Sequence, residues 1–264
     1  MNWKGIPLKE RSIKFKELSL GASHQDKLNL MENMYKDEAI YIVSCGPSLA
    51  DIPKEKLLEK LGDKPVLTIK QAFGKVGDVS DIHHFNCNNF TNYDLKNTVS
   101  VASAGNSSLD GMRKSLWGNI EVDLFFPVIN NGRTVCHDNN WEENTYANNP
   151  LMRQWGPGTL QETAIFTAVH TGAKHIGLIG IDFGPIEWDE SKDGIYLPHF
   201  YDSENDQKPG NSPKGQLFHG ENRLVIEGTR QIKEWLDSKK ISITVDSNGS
   251  HVHESINRDF WLYE

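Results

Sequence analysis

Cysteine is scarce in this chain: Cys45, Cys87 and Cys136 are all that 264 residues contain. An odd number without CxxC spacing suggests neither a disulfide framework nor a zinc ribbon, so reduced thiols in or near a core are expected. Long apolar runs are also missing. None approaches the roughly 20 residues that cross a bilayer, and the charged amino terminus MNWKGIPLKERSIKFKEL has no apolar stretch of the signal-peptide kind. A cytoplasmic protein is the expectation. Nor is there a basic surplus, since 28 Lys and Arg face 36 Asp and Glu for a formal charge of −8. That argues against a nucleic-acid groove as the dominant surface and means that an anionic ligand must be held locally.

What remains is an ordinary globular composition. A hydrophobic content of 37% is enough for one core. Short β-branched runs recur at Ile40 to Ser44, Val66 to Lys70, Ile82 to Asn86, Thr98 to Ser103, Val122 to Val128, His175 to Ile181 and Ile241 to Asp246. Helical patterns lie between several of them. DIPKEKLLEKLGD (Asp51 to Asp63) offers a cap, an early proline, Leu57, Leu58 and Leu61 on one face, and Gly62 as a stop. TLQETAIFTAVHTG has Thr159 and Glu162 at capping-box spacing and Gly172 at its exit. It feeds HIGLIGIDF, an almost continuously apolar strand of the kind buried on both faces of a parallel sheet. An amphipathic helix over Asn222 to Ser238 precedes ISITVD. The alternation predicts an α/β domain with a mostly parallel, doubly wound sheet. Residues 1–37 read as a helical arm and 38–264 as the main domain. Asn-, Gly- and Trp-rich residues 130–158 interrupt the pattern, and 184–220, with DSENDQKPGNSPKG, read as a lid loop without periodicity.

Doubly wound sheets bind ligands beyond the carboxyl ends of their strands, where the winding reverses. In IYIVSCGPSL the first strand breaks into a turn of Cys45, Gly46, Pro47 and Ser48. Gly46 has no Cβ and Pro47 fixes its own φ, so the break is sterically specified and something is expected to approach that backbone closely. Exposed amides there could hold a phosphate. Lys70 and Gln71 follow the second strand, Asn86, Cys87, Asn88 and Asn89 end the third, and Asp182 follows the penultimate one. Lys70 is the single basic residue in this set.

The ten histidines call for restraint, because most such side chains are structural or exposed. His83 and His84 point to opposite faces of a strand and cannot form a compact pair. His251 and His253 have H-x-H spacing, with a solvated tail as the simpler reading. His219, in LFHGEN between the lid and the last helix, is placed to act as a general base near neutral pH, and an exposed loop histidine is the competing reading. Tyr196 and Tyr201 in GIYLPHFYD could donate hydroxyls to a phosphate. Glu187, Asp189 and Glu190 read as a solvated acidic run.

Taken in order, IYIVSCGPSLADI, VLTIKQAF, DIHHFNCNNF and GPGTLQETAIFTAVHTGAKHIGLIGIDF resemble the motifs of bacterial CMP-sialic-acid-dependent sialyltransferases. They are also similar to motility-associated-factor glycosyltransferases and 6-hydroxymethylpterin-pyrophosphokinase-like proteins. The resemblance spans roughly residues 38 to 247. It implies a single Rossmann-like domain with a small lid, a CMP-activated nonulosonic acid as co-substrate, inversion at the anomeric centre, and no metal or other cofactor. It further implies donor contacts at Gly46, Pro47, Ser48, Lys70, Asn86 or Asn88, and Gly158 with Thr159, a general base at His219 and a phosphate-binding phenol at Tyr196. The sequence departs from the family at Cys45 and Lys70, each where the sialyltransferases have asparagine, and at Gly184, where they have a tyrosine. Arg153 is the only match for an arginine preceding the Gly-Thr segment.

Three functions compete on these residues. The first is an inverting glycosyltransferase acting on a nucleotide sugar and a glycan acceptor hydroxyl. The second is a Mg-dependent pyrophosphokinase, for which Asp182 is the one strand-end acid. The third is a non-catalytic nucleotide- or glycan-binding module. A homo-oligomer is expected. The aromatic carboxyl terminus NRDFWLYE could dock on a subunit or a membrane-bound acceptor, or pack back on its own core.

Overall fold

A computed structural model describes residues 1–86, 93–103, 122–126, 128–129, 141–143, 145–150, 152–153, 160–182, 195–196, 216–217, 219–246, 256–259 and 261–262. The amino-terminal segment forms α1 (Arg11–Leu18) and α2 (His24–Met31). The main sheet begins with β1 (Ala39–Val43), followed by α3 (Lys54–Leu61), β2 (Val66–Ile69), α4 (Ala72–Val76), β3 (Ile82–Asn86), β4 (Val99–Ser103) and β5 (Leu124–Phe126). Two short strands, β6 (Val128–Ile129) and β7 (Met152–Arg153), pair with each other. Then come α5 (Leu160–His170), β8 (His175–Ile179), β9 (Ile195–Tyr196), β10 (Gln216–Leu217), α6 (His219–Ser238), β11 (Ser242–Asp246) and β12 (Asn257–Arg258).

Eight strands make one sheet in the order β12-β11-β8-β1-β2-β3-β4-β5, and every pairing in it is parallel. The chain winds outward from β1 through β2 to β5, then returns to β8 on the other side of β1. This is the doubly wound α/β arrangement the alternating pattern predicts.

Strand alternation divides the core in two. On β1, Ile40 and Ile42 enter one cluster with Leu67 and Ile69, while Val43 enters the other with Val66. The larger cluster lies under α5, α6 and the amino-terminal segment, and the smaller lies under α3 and α4. Helix α5 buries Ala164, Ile165, Phe166 and Ala168 but also Thr163 and Thr167, so both its apolar and its hydroxyl-bearing sides are enclosed. The amino-terminal segment contributes Trp3, Phe15, Leu28, Met31, Met34 and Tyr35 to the same core. It also satisfies the orphan carbonyls at the end of α5: Asn33, Tyr35 and Asp37 donate backbone N–H groups to His170, Thr171 and Gly172. Gly172 takes φ +92 there, and a Cβ on it would sit 2.9 Å from Lys36 Cα.

The structure departs from the sequence reading at several points. Helix α3 starts at Lys54 with Pro53 at its N-cap and no side-chain cap. Asp51 does not cap it, because it belongs to the preceding turn, where its N–H donates to Ser48 O, and lies two residues before the Pro53 N-cap position. Helix α6 begins at His219, three residues before the expected start, so this histidine opens the helix instead of sitting in the loop before it. Within the polar interruption at 130–158, Trp141 and Tyr146 are fully buried, packed against Phe166 and Phe126. Within the lid segment, Ile195 and Tyr196 form an antiparallel ladder with Gln216 and Leu217. The edge strand β12 has no β-branched run to announce it. Beyond it, the Trp261 ring packs tilted against Tyr41 with centroids 5.0 Å apart and Leu262 is buried, so these carboxyl-terminal side chains pack on their own core.

Candidate functional site

The winding reverses between β1 and β8, which places the carboxyl ends of these neighbours side by side. Their ladder continues past both strands: Ser44 N–H donates to Ile179 O at 2.8 Å and Gly46 N–H to Gly180 O at 2.7 Å. The chain then tightens into a 3-10 turn at Pro47–Leu49. Ser48 N–H donates to Asp182 Oδ2 at 2.7 Å, with Asp182 only 9% exposed.

This arrangement explains the glycine. A Cβ on Gly46 would lie 2.4 Å from Asp182 Oδ2 and 2.5 Å from Gly180 O. The group that approaches this backbone is therefore the protein's own carboxylate and carbonyl, and the Ser48 amide is committed to that carboxylate. Gly180, which the sequence reading did not single out, sits opposite at φ +65, where a Cβ would meet Ser44 O at 2.7 Å. The signal available for it was the Gly-x-Asp that follows the apolar strand.

Next to this pair, β2 is followed by Lys70 and Gln71. Lys70 adopts φ +50, a left-handed conformation that costs a non-glycine residue about 1 kcal/mol. It is held there by N–H donation to His84 O at 2.9 Å. Further along α4, the Lys75 ammonium, another residue the sequence reading passed over, donates to Leu49 O and to Ala50 O and ties this helix to the turn that follows the first strand's bend. Gln71, at the N-cap of α4, is buried.

Cys45 is buried as expected, and its thiol donates to Ile69 O at 3.2 Å. Burial pushes the thiol up to about 11, against the nearby positive charge of Lys70. A thiol held neutral in this way is a poor nucleophile. In native protein at neutral pH, Cys45 is expected to resist iodoacetamide and to react fully after denaturation, as read by peptide mass spectrometry. Rapid native labelling would contradict this environment.

The remaining candidates separate clearly. His83 and His84 are both buried. Burial pushes His83 down to about 3 although Thr68 hydrogen-bonds its Nδ1, and its ring packs against Phe73 and Phe85 at 4.7 and 5.3 Å. It is a core residue. A second strand-end acid appears that the sequence reading did not count: Asp246 closes β11, with its Oδ2 accepting from Leu262 N–H at 3.0 Å. Asn86 closes β3 and Tyr196 closes β9. The ladder sets Tyr196 opposite Gln216, three residues before His219. Asn88, Gly158, Thr159 and Tyr201 lie outside the described residues, as do Cys87, Asn89, Glu187, Asp189, Glu190, His251 and His253.

No protein-family model matches the sequence, and no curated protein does. Among solved structures, the chain is similar to the monofunctional alpha-2,3-sialyltransferase Cst-I from Campylobacter jejuni, with 16% identity over 86% of this chain and 82% of that one and a TM-score of 0.49. It is also similar to the sialyltransferase CST-II in complex with trisaccharide acceptor and CMP, at 16% identity, 84% and 86% coverage and a TM-score of 0.44. A Campylobacter jejuni CstII complex with the substrate analogue CMP-3FNeuAc gives 14% identity, the same coverage and a TM-score of 0.39. Likeness at this level assigns the chain neither a family nor an activity.

Among the described residues, no three His, Cys, Asp or Glu side chains gather as a metal site, and no helix is long and apolar enough to cross a membrane.

Proposed function

We propose that this protein is an inverting glycosyltransferase that moves a sugar, a nonulosonic acid such as sialic acid, from a CMP-activated donor to a hydroxyl of a glycan acceptor. The observation that carries the reading is the convergence of the Gly46 bend, Asp182, Lys70 and Gln71 at the reversal between β1 and β8, the place where doubly wound sheets hold nucleotides. The motif order of the sequence supports the same choice.

On this reading Lys70 is the cation for the donor phosphate, held by a backbone conformation that a lysine would not choose without constraint. The Ser48 amide fixes Asp182 beside the bend, leaving the turn rigid before any ligand arrives. His219 accepts the proton of the acceptor hydroxyl as the acceptor oxygen bonds to the anomeric carbon. The bond from that carbon to the phosphate oxygen breaks on the opposite face, and CMP departs with the electron pair, which inverts the centre. Tyr196 donates its hydroxyl to the leaving phosphate, and the β9–β10 ladder supports this pairing by holding the Tyr196 backbone close in register to the start of α6. An activated donor needs little more than positioning and electrostatic stabilisation. The chemistry calls for no metal, and the two strand-end acids each commit an oxygen to a backbone N–H.

The test has two arms. CMP is expected to raise the melting temperature, unchanged by EDTA, because a ligand that binds only the native state stabilises it. His219→Ala should lower product formation by about a hundredfold to ten-thousandfold with CMP affinity preserved. A magnesium-dependent ATP response in place of CMP, or turnover that survives the substitution, would overturn the assignment.

A further inference from the structure

At the opposite edge of the sheet, where the strands begin, a groove of ≈ 800 Å³ opens between α1, α4 and the segment leading into β4. Its volume lies in the range of small-molecule sites. It is remote from the Gly46 bend, because Asp81 and Thr98 on its wall immediately precede β3 and β4, whereas the bend follows β1.

The charges that line it cancel in pairs. Lys9 meets Asp81 at 2.7 Å, Lys54 meets Asp78 at 3.0 Å and Lys96 meets Asp94 at 3.3 Å. An anion or a cation would have to separate one of these pairs, so the groove disfavours ions. Deepest is Asp81, with its side chain 3% exposed. Both hydrogen bonds that its carboxylate accepts, from Lys9 Nζ and from Val66 N–H, fall on Oδ2. Oδ1 is left for a donor. Lys9 in turn spends one ammonium proton on Asp81 and one on Val79 O, keeping a third. Beside them, Phe73 and Tyr93 both line the groove, with ring centroids 4.9 Å apart.

We propose that this groove is a binding site for a neutral saccharide. A sugar hydroxyl both donates and accepts, so neighbouring hydroxyls can give to Asp81 Oδ1 and take from Lys9 without disturbing their pair, while the apolar face of the ring lies on the aromatic wall. If the protein transfers sugar to a glycan, the groove would anchor a distant part of the acceptor. That purpose rests on the proposed function, whereas the binding itself does not.

Amide NMR on the full chain distinguishes the two. Lactose, maltose and N,N′-diacetylchitobiose are titrated separately, followed by CMP. At least one disaccharide should shift amides of Gly74, Gly77 and Asn97 but not Gly46 or Ser48, and CMP should shift the second set with the first still occupied. Lys9→Met, checked for folding by its amide dispersion, should weaken the disaccharide at least tenfold, and Lys96→Ala on the rim much less. If Lys9→Met unfolds, competition settles the point, since inorganic phosphate should not displace the sugar. Silence of all three disaccharides at the groove, shifts confined to the Gly46 side, or displacement by phosphate would each overturn the site. Groove shifts without a CMP response would sink the proposed function alone.

Discussion

Gly46→Ala is expected to destabilise the protein by about 2–3 kcal/mol and to abolish CMP binding, because the added methyl has nowhere to go. Its Cβ would stand 2.4 Å from Asp182 Oδ2 and 2.5 Å from Gly180 O. Asp182 has a short side chain pinned by Ser48 N–H, and Gly180 O already accepts the Gly46 N–H, so neither can retreat without breaking a hydrogen bond. Relief must therefore come from opening the β1–β8 junction, which is the proposed nucleotide site. Urea unfolding gives the stability change and a CMP thermal shift gives the binding. A variant with wild-type values in both would refute the contact.

Asp81 should make stability fall as pH rises from about 4 to about 6, the reverse of ordinary acid denaturation. Burial raises its carboxyl to about 6, with Lys9 and the Val66 N–H opposing the rise. In that window the native state keeps a proton that the unfolded chain releases, so each step up in pH favours the unfolded chain. Below the window both states are protonated and the group has no effect; above it the full penalty of about 3 kcal/mol applies. Lys9 is the charged side chain in contact with it, and the Asp81 charge in turn raises the buried Tyr35 phenol. Asp81→Asn keeps an oxygen for Val66 N–H and removes the titration. The difference between wild-type and variant urea midpoints should slope across this window and flatten on either side. A flat difference would show that the carboxyl titrates in the folded protein where it does in the unfolded chain, and that burial does not raise it. Asp81→Ala leaves Val66 N–H without an acceptor and Lys9 with Val79 O alone, which should cost about 1–3 kcal/mol below the window, whereas above it the loss of the buried charge offsets that cost.

Much of the fold was legible because strands and helices carry their own periods. The run HIGLIGIDF announced a strand buried on both faces, and β8 is indeed buried at four consecutive residues, Ile176 to Ile179. Elements that draw their stability from neighbours left no such trace. Strand β12 exists because β11 offers an edge, and Trp141 is buried because Phe166 lies across from it in the fold. In the candidate site, the residue types at the strand ends were readable, and the sequence marked Gly46, Lys70 and Asp182 by position alone. Their relations were not. The sequence suggested a ligand against the Gly46 backbone, whereas the neighbour is a carboxylate 136 positions further along the chain.

The order of strands and helices, the glycine in the first bend and the polar strand ends were set by the sequence alone, since backbone sterics and hydrophobic period act over a few residues. Which carboxylate fills the bend, which lysine is forced into a left-handed turn and which aspartate lies buried beneath Lys9 were decided only by tertiary structure. Each depends on segments that become neighbours when the parallel strands pair, and no local pattern encodes a distance between them.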